Sequence, residues 1–260
     1  MEAAAAAGAE LVVFPECAVT GYCFEHLNEA IGYTSPIPGP VTERLAEACR
    51  EWNVYAVVGM LEIEGYAVYN ACVLVGPTGL IGKYRKIHLP ALGVDNHVAP
   101  GDARWVVYQA GGAKVGMHIC YDSAFPESAR SMALDGAEVL VLPTNFPPGA
   151  ECLCANVLPA RAMENCVYLV AANRVGKERG FKFLGESKIC GTDGEILALA
   201  PADEEAIIYA DIDLERARNK RRVRVPGKHE INRFADRRPE MYGRLTAANQ
   251  TQMMFEFGSD

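Results

Sequence analysis

Strand-forming segments follow one another in the first half of this chain at intervals too short for helices, and near Cys120 the rhythm changes. Val54 to Glu62, Ala67 to Val75 and Leu80 to Tyr84 are divided only by short stretches with Gly/Pro punctuation, the last of them Gly76-Pro77-Thr78-Gly79. Spacing that tight forces antiparallel pairing. Trp105 to Gln109, Gly111-Gly112 and Lys114 to Ile119 read as a further hairpin that delivers Cys120. Beyond it the sequence predicts a helix over Ala124 to Asp135, a strand over Glu138 to Leu142, a helix over Cys154 to Asn165 and a strand over Val167 to Ala172. Strand-helix-strand units bury a sheet under helices. Asp193-Gly194 marks one more hairpin, between Lys188 to Cys190 and Ile196 to Leu199, and Ala206 to Ile212 reads as the last strand. Upstream, Ala3 to Glu10 reads as a helix leading into the strand Leu11 to Phe14, and Thr42 to Trp52 as another helix capped by Thr42. The mixture fits an α/β fold in which two sheets pack together with helices outside.

With 260 residues, half of them apolar, the chain suits a single domain over 1–260, with a polar C-terminal arm from about 213 to 260. A net charge of −8 argues against nucleic-acid or anionic-membrane partners. The basic run Arg216 to Arg224 reads as a solvated or interface arm, and a polar tail of this kind can lie across a symmetric partner. Nine cysteines without framework spacing indicate free thiols in a reducing cytoplasm. Cys152-Leu153-Cys154 lacks a second Cys/His pair at zinc-ligand spacing, so no metal is expected. No apolar run approaches the roughly 20 residues that span a bilayer, and Ala3 to Ala7 lacks the positive flank of a signal peptide.

Chemistry concentrates at three strand mouths. Leu11-Val12-Val13-Phe14-Pro15-Glu16 ends in a carboxylate, Gly82-Lys83-Tyr84-Arg85-Lys86-Ile87-His88 carries ammonium groups, and Lys114 to Ile119 stops at the Cys120 thiol. A cysteine on a strand-to-helix elbow, with backbone N–H groups converging beside it, is built to attack a carbonyl or nitrile carbon. Its free pKa, about 8.5, leaves it mostly protonated at neutral pH unless a base removes the proton. Each group also has a plainer reading: Glu16 as a solvated turn residue, and Lys83, Arg85 and Lys86 as a charged strand edge. His118, two positions before Cys120, shares its strand face, but side-chain roots about 6 to 7 Å apart favour a buried histidine bonded to a neighbour.

Together the three islands resemble the nitrilase superfamily of carbon–nitrogen hydrolases, whose members carry a Glu-Lys-Cys triad in this order. The likeness runs from about Leu11 to about Tyr242 and includes Pro143-Thr144-Asn145, Asn173-Arg174-Val175-Gly176 and Arg237-Arg238-Pro239-Glu240. The resemblance implies a four-layer α-β-β-α sandwich and a homo-oligomer. It implies Glu16 as general base, Lys86 as oxyanion partner beside a backbone N–H near Tyr121, and Cys120 as nucleophile. Many relatives place a second glutamate between the lysine and the cysteine. Leu92 to Asp102 contains no glutamate, and Asp95, one methylene shorter, falls closest to that position. Tyr121 and Asn145 fall where a substrate pocket wall is expected, and Glu127 and Arg130 can pair at i and i+3.

The activity this implies is that of a thiol amidohydrolase acting, without a cofactor, on a small amide. N-carbamoyl amine hydrolysis and nitrile hydrolysis would use the same triad. Several relatives that take carboxylate-bearing substrates carry an arginine soon after the nucleophile, whereas this chain has Asp122-Ser123-Ala124, which favours a neutral or cationic substrate. A non-catalytic scaffold of the same fold is the reading of another class, opposed by the intact Glu16, Lys86 and Cys120. Relatives also begin with a strand of their own before the segment matching Ala3 to Gly8. The expectation is that this strand is missing here and that coding sequence for it lies upstream.

Overall fold

The short-period half of the sequence builds the first sheet. Helix α1 (Glu2–Ala6) leads to β1 (Leu11–Val13), and after helices α2 (Leu27–Ile31) and α3 (Pro40–Trp52) come β2 (Tyr55–Glu64), β3 (Ala67–Gly76) and β4 (Gly79–Arg85). They lie in the order β1-β2-β3-β4, with β1 parallel to β2 and the other neighbours antiparallel. Because successive strand residues point to opposite faces, Ala56, Val58 and Met60 of β2 and Ala71, Val73 and Val75 of β3 form one apolar face, which packs on Ala46 and Cys49 of α3. The expected cap of α3 is corrected. Pro40 occupies the first helical position and Gly39 precedes it. Thr42 lies inside the first turn, where its Oγ1 accepts from Gly39 N–H at 2.9 Å. A proline there sacrifices no helical hydrogen bond, so the helix starts two residues early.

This is a computed structural model, and it describes residues 1–247. The second sheet begins with the hairpin β5 (Val107–Ala110) and β6 (Ala113–Met117). Helix α4 (Pro126–Leu134), β7 (Val139–Thr144), a π-turn over Leu153–Val157 running into α5 (Leu158–Asn165), and β8 (Tyr168–Asn173) follow. A two-residue hairpin, β9 (Lys177–Glu178) and β10 (Phe181–Lys182), precedes β11 (Lys188–Cys190) and β12 (Ile196–Leu199). The sheet order is β12-β11-β8-β7-β6-β5, parallel across β6, β7 and β8. Gly116 of β6 lets α4 approach, since a Cβ there would lie 2.7 Å from Met132 Sδ. On the opposite face the sheets meet: Cys72 Sγ of β3 lies 3.9 Å from Met117 Sδ of β6, and Tyr108 of β5 donates its hydroxyl to Lys83 O of β4 at 3.1 Å. The layers are therefore helix, sheet, sheet, helix, the α-β-β-α sandwich.

Ala206 to Ile212 is not a strand, which corrects the reading of this apolar run. The segment joins no ladder among the described residues, and Ile207 and Tyr209 are exposed. An apolar run supplies side chains to bury, whereas a strand also needs a neighbour's backbone. Helix α6 (Leu214–Arg218) follows, and two cations of the basic run are committed there: Arg218 Nε to Glu138 Oε1 at 2.6 Å and Arg216 to Glu195 Oε1 at 2.8 Å. The chain divides into two compact units, Met1–Asn219 and a second from Lys220 on. The described part of the second contains the antiparallel hairpin β13 (Arg221–Val225) and β14 (His229–Asn232).

Candidate active site

Cys120 sits where β6 gives out. The strand proper ends at Met117, His118 N–H still bonds to Val141 O at 3.2 Å, and Cys120 then opens a 3₁₀ turn over Cys120–Ala124. Its φ of +46° is left-handed, a region that non-glycine residues enter at a cost and that recurs at functional sites. The turn is pinned from behind by Asp122, which is fully buried. One Asp122 oxygen accepts from Ile119 N–H at 3.0 Å and Tyr84 OH at 2.7 Å; the other accepts from His88 N–H at 3.1 Å and faces His88 Nδ1 at 2.7 Å. The elbow is thereby tied to the end of β4, the strand that presents Lys86.

Lys86 lies completely buried between two carboxylates. Its Nζ is 2.7 Å from Glu16 Oε1 and 2.6 Å from Asp95 Oδ2. Asn70, on the inner face of β3, bridges the same two acids, its Nδ2 donating to Glu16 Oε1 at 2.7 Å and to Asp95 Oδ1 at 2.8 Å. Glu16 thus uses a single oxygen for both donors, and its Oε2, equally buried, has no hydrogen-bond partner among the described residues. Asp95 stands on a 3₁₀ turn over Gly93–Asn96 and reaches the ammonium in spite of its short side chain.

Other sequence-designated residues fall in different places. Asn145 is buried; its Nδ2 donates to the Glu16 backbone carbonyl at 3.0 Å, and its Oδ1 has no hydrogen-bond partner among the described residues. Thr144 and the Asn145 N–H, at the end of β7, face the Cys120 thiol. Tyr121 is partly exposed, with its ring edge-on to Phe125 at 5.1 Å. His118 bonds Ser128 Oγ through Nδ1 at 3.2 Å, as a buried structural histidine should. Arg130 reaches Glu164 O at 2.9 Å. A cavity of about 200 Å³, lined by Pro15, Glu16, Cys17, Ala18, Gly21 and Arg174, opens on the Glu16 side without including Cys120. Sequence reasoning missed Asn70, Asp122 and Tyr22, whose hydroxyl donates to Asp95 Oδ2 at 2.9 Å. An asparagine inside the apolar run Ala67 to Val75 was a signal in plain view, since a buried amide needs partners.

The carbon–nitrogen hydrolase family profile matches residues 1–222. The chain belongs to the carbon–nitrogen hydrolase family. It is 45% identical over 242 residues to a nitrilase of Pyrococcus abyssi, covering 91% of this chain and 87% of that protein. It is 35% identical over 257 residues to an N-carbamoylputrescine amidase of Solanum lycopersicum, covering 90% and 83%. In fold it resembles the solved NitN amidase from Neterenkonia sp. AN1, with a TM-score of 0.77 and 24% identity over 94% of this chain and 89% of that one.

The charge balance of this carbon–nitrogen hydrolase site follows from burial. Desolvation raises the Glu16 pKa above its ordinary value, against the pull of Lys86. Burial opposes the Lys86 ammonium, but Glu16, Cys120 and Asp95 outweigh it and hold the ammonium well above the usual lysine range. Burial, with Glu16 adding to it, pushes the Cys120 thiol up, and Lys86 only partly offsets this. At neutral pH the site therefore holds a protonated thiol and an ammonium beside the Glu16 carboxyl group, which keeps one oxygen open. Burial also pushes His118 down to about 4, so its imidazole stays neutral. As a hydrolase of this family, the protein acts on carbon–nitrogen bonds other than peptide bonds.

Proposed function

We propose that this hydrolase is a thiol amidohydrolase that cleaves a small non-peptide amide or carbamoyl compound through a thioester on Cys120. The observation that carries the reading is the division of labour on Glu16, whose Oε1 is tied to Lys86 and Asn70 while Oε2 is left open. Oε2 takes the thiol proton as sulfur attacks the carbonyl carbon. Lys86 Nζ and the Tyr121 N–H stabilise the oxyanion. Glu16 hands the proton to the departing nitrogen, and ammonia or an amine leaves. Water then yields a proton to Glu16, attacks the thioester, and the acid product departs as the thiol reforms. Asp95 keeps the ammonium oriented.

Two carboxylates against one ammonium leave the pocket floor net negative, and the nearby guanidinium groups are engaged by acids, Arg161 by Glu164 at 3.0 Å and Arg174 by Glu178. A neutral or cationic substrate suits this charge better than an anionic one. N-carbamoylputrescine, named for one relative, is of that type. The test is ammonia release from a panel of simple amides, carbamoyl amines, carbamoyl acids and nitriles, with the pH profile of kcat/KM for the best. Because a base must be unprotonated to act, activity is lost as pH falls through the Glu16 pKa. The acid limb is expected above 4.5, with no alkaline fall before about 9, since the thiol and the ammonium are both raised. A limb below 4.5, or a preference for carbamoyl acids, would contradict this account.

We also infer a homo-oligomer working in the cytoplasm. Nine free thiols suit a reducing compartment. On the edge strand β12, Ile196, Leu197 and Leu199 are exposed, and so are Ile207 and Tyr209 on the segment after it, apolar surface that a second copy would cover. Light scattering at micromolar concentration should exceed the 28.2 kDa of one chain, and a monomer would overturn the inference.

A further inference from the structure

We propose that Tyr22 is a positioning residue for this hydrolase: its hydroxyl fixes the Asp95 carboxylate on the Lys86 ammonium, and its ring sets the depth from which Asp95 reaches it. The inference rests on the proposed roles of Glu16, Lys86 and Cys120.

Tyr22 is among the largest side chains with no exposure at all, yet it ends in a polar group. That hydroxyl lies 2.9 Å from Asp95 Oδ2 and 3.1 Å from Leu92 O. It has one proton for two acceptors. The carboxylate is charged and the carbonyl is not, so the proton belongs on Asp95. With Lys86 at 2.6 Å on the same oxygen and Asn70 at 2.8 Å on the other, Asp95 is held by three donors at once.

The ring does the second part. Gly93 has φ +50°, and a Cβ on it would lie 2.4 Å from the Tyr22 ring. Val94 N–H donates to Tyr22 O at 2.9 Å. The turn that carries Asp95 is therefore drawn flat against Tyr22 along its backbone, and this contact brings a short aspartate within reach of Lys86. Tyr22 is itself anchored from the other side, because Glu178 accepts from Tyr22 N–H and Cys23 N–H, each at 3.1 Å, and is paired with Arg174. Remove the hydroxyl and the turn keeps its packing, but the carboxylate is left with two donors instead of three, Lys86 on Oδ2 and Asn70 on Oδ1, and Oδ2 is held on Lys86 less firmly.

The test is a double-mutant cycle with Tyr22→Phe and Asp95→Asn, read as kcat and KM on the best substrate and as the rate of iodoacetamide capture at Cys120, followed by mass spectrometry. Tyr22→Phe should lower kcat about tenfold, the scale of losing a hydrogen bond to a charged group, with KM within about twofold. In the Asp95→Asn background the same change should add no further loss, since its acceptor has lost its charge. Merely structural packing would give equal losses in both backgrounds, and that additivity overturns the proposal. Asp95→Asn crippled while Tyr22→Phe stays at wild-type kcat overturns it too and leaves the reading of the triad standing. Full activity of Asp95→Asn overturns the proposal as well, since Tyr22 would then hold a group that turnover does not need. Should Tyr22→Phe not fold, 3-fluorotyrosine at position 22 keeps the shape and strengthens the donor. It must then change kcat by at least about twofold at constant KM, and an unchanged kcat rejects the proposal.

Discussion

Cys120→Ala is expected to fold like the wild type and to release no ammonia from any substrate, because the proposed thioester forms on the Cys120 sulfur. The substitution keeps the Cβ at φ +46° and every backbone bond of the elbow, including the contacts of Asp122 with Ile119 and His88. Glu16→Gln preserves an acceptor for Lys86 and Asn70 but cannot take a proton, so it should lose at least about 10²-fold in kcat with little change in melting temperature. Lys86→Ala should differ from both. It removes the single ammonium between two buried carboxylates at 2.7 and 2.6 Å, and an uncompensated buried charge costs roughly 3–5 kcal/mol. Activity and thermal stability should therefore fall together. His118→Asn serves as the control and should keep most activity wherever it folds. Turnover assays with thermal melts on the same preparations decide the matter. Near-normal ammonia release from Cys120→Ala would remove the thiol from the chemistry altogether.

Glu16 and Cys120 stood out because each follows an apolar strand, where a charged or nucleophilic residue contradicts its surroundings in sequence, whereas Lys86, behind Lys83 and Arg85 on a charged strand edge, was singled out only by the family resemblance. Phe14-Pro15-Glu16 and the stop at Cys120 show this with no knowledge of which strands meet. The partners of the triad were hidden for the opposite reason. Asn70 reaches Glu16 across 54 positions and Tyr22 reaches Asp95 across 73, so their roles exist only once β2, β3 and the turn at Gly93 have been assembled. Asp122 sat beside the nucleophile but read as the place of a missing arginine, and its work as the clamp joining Ile119 to His88 needed the end of β4 beside it. In the fold, strands were legible wherever turn residues punctuated them. Ala206 to Ile212 misled because its apolar run promises side chains to bury without saying that any strand lies alongside. Asp95 is the intermediate case: its position pointed to Lys86, while its short side chain gave no sign that a glycine and a tyrosine ring draw the backbone in.

Gly59→Ala should cripple the enzyme from a strand that contributes no side chain to the chemistry. Gly59 lies on the face of β2 turned away from α3, and a Cβ there would lie 2.5 Å from Cys17 N, 2.6 Å from Pro15 O and 2.8 Å from Glu16 Cα. All three are backbone-chain atoms, with no flexible side-chain end to swing aside. The loop is also held from its far side, since Asn145 Nδ2 donates to Glu16 O at 3.0 Å and Asn70 to the Glu16 carboxylate. One methyl group must therefore either push Pro15, Glu16 and Cys17 outward or part β2 from its neighbours. Overpacking of this kind costs about 1–3 kcal/mol, which a domain of this size survives, but a displacement approaching 1 Å at a catalytic group costs about 10²-fold in rate. The expected result is a folded protein, slightly lower in melting temperature, with kcat down by about that factor and its acid limb moved as Glu16 loses contact with Lys86. An alanine at 59 with wild-type kcat and an unmoved pH profile would mean that the position of Glu16 tolerates far more than its hydrogen bonds imply.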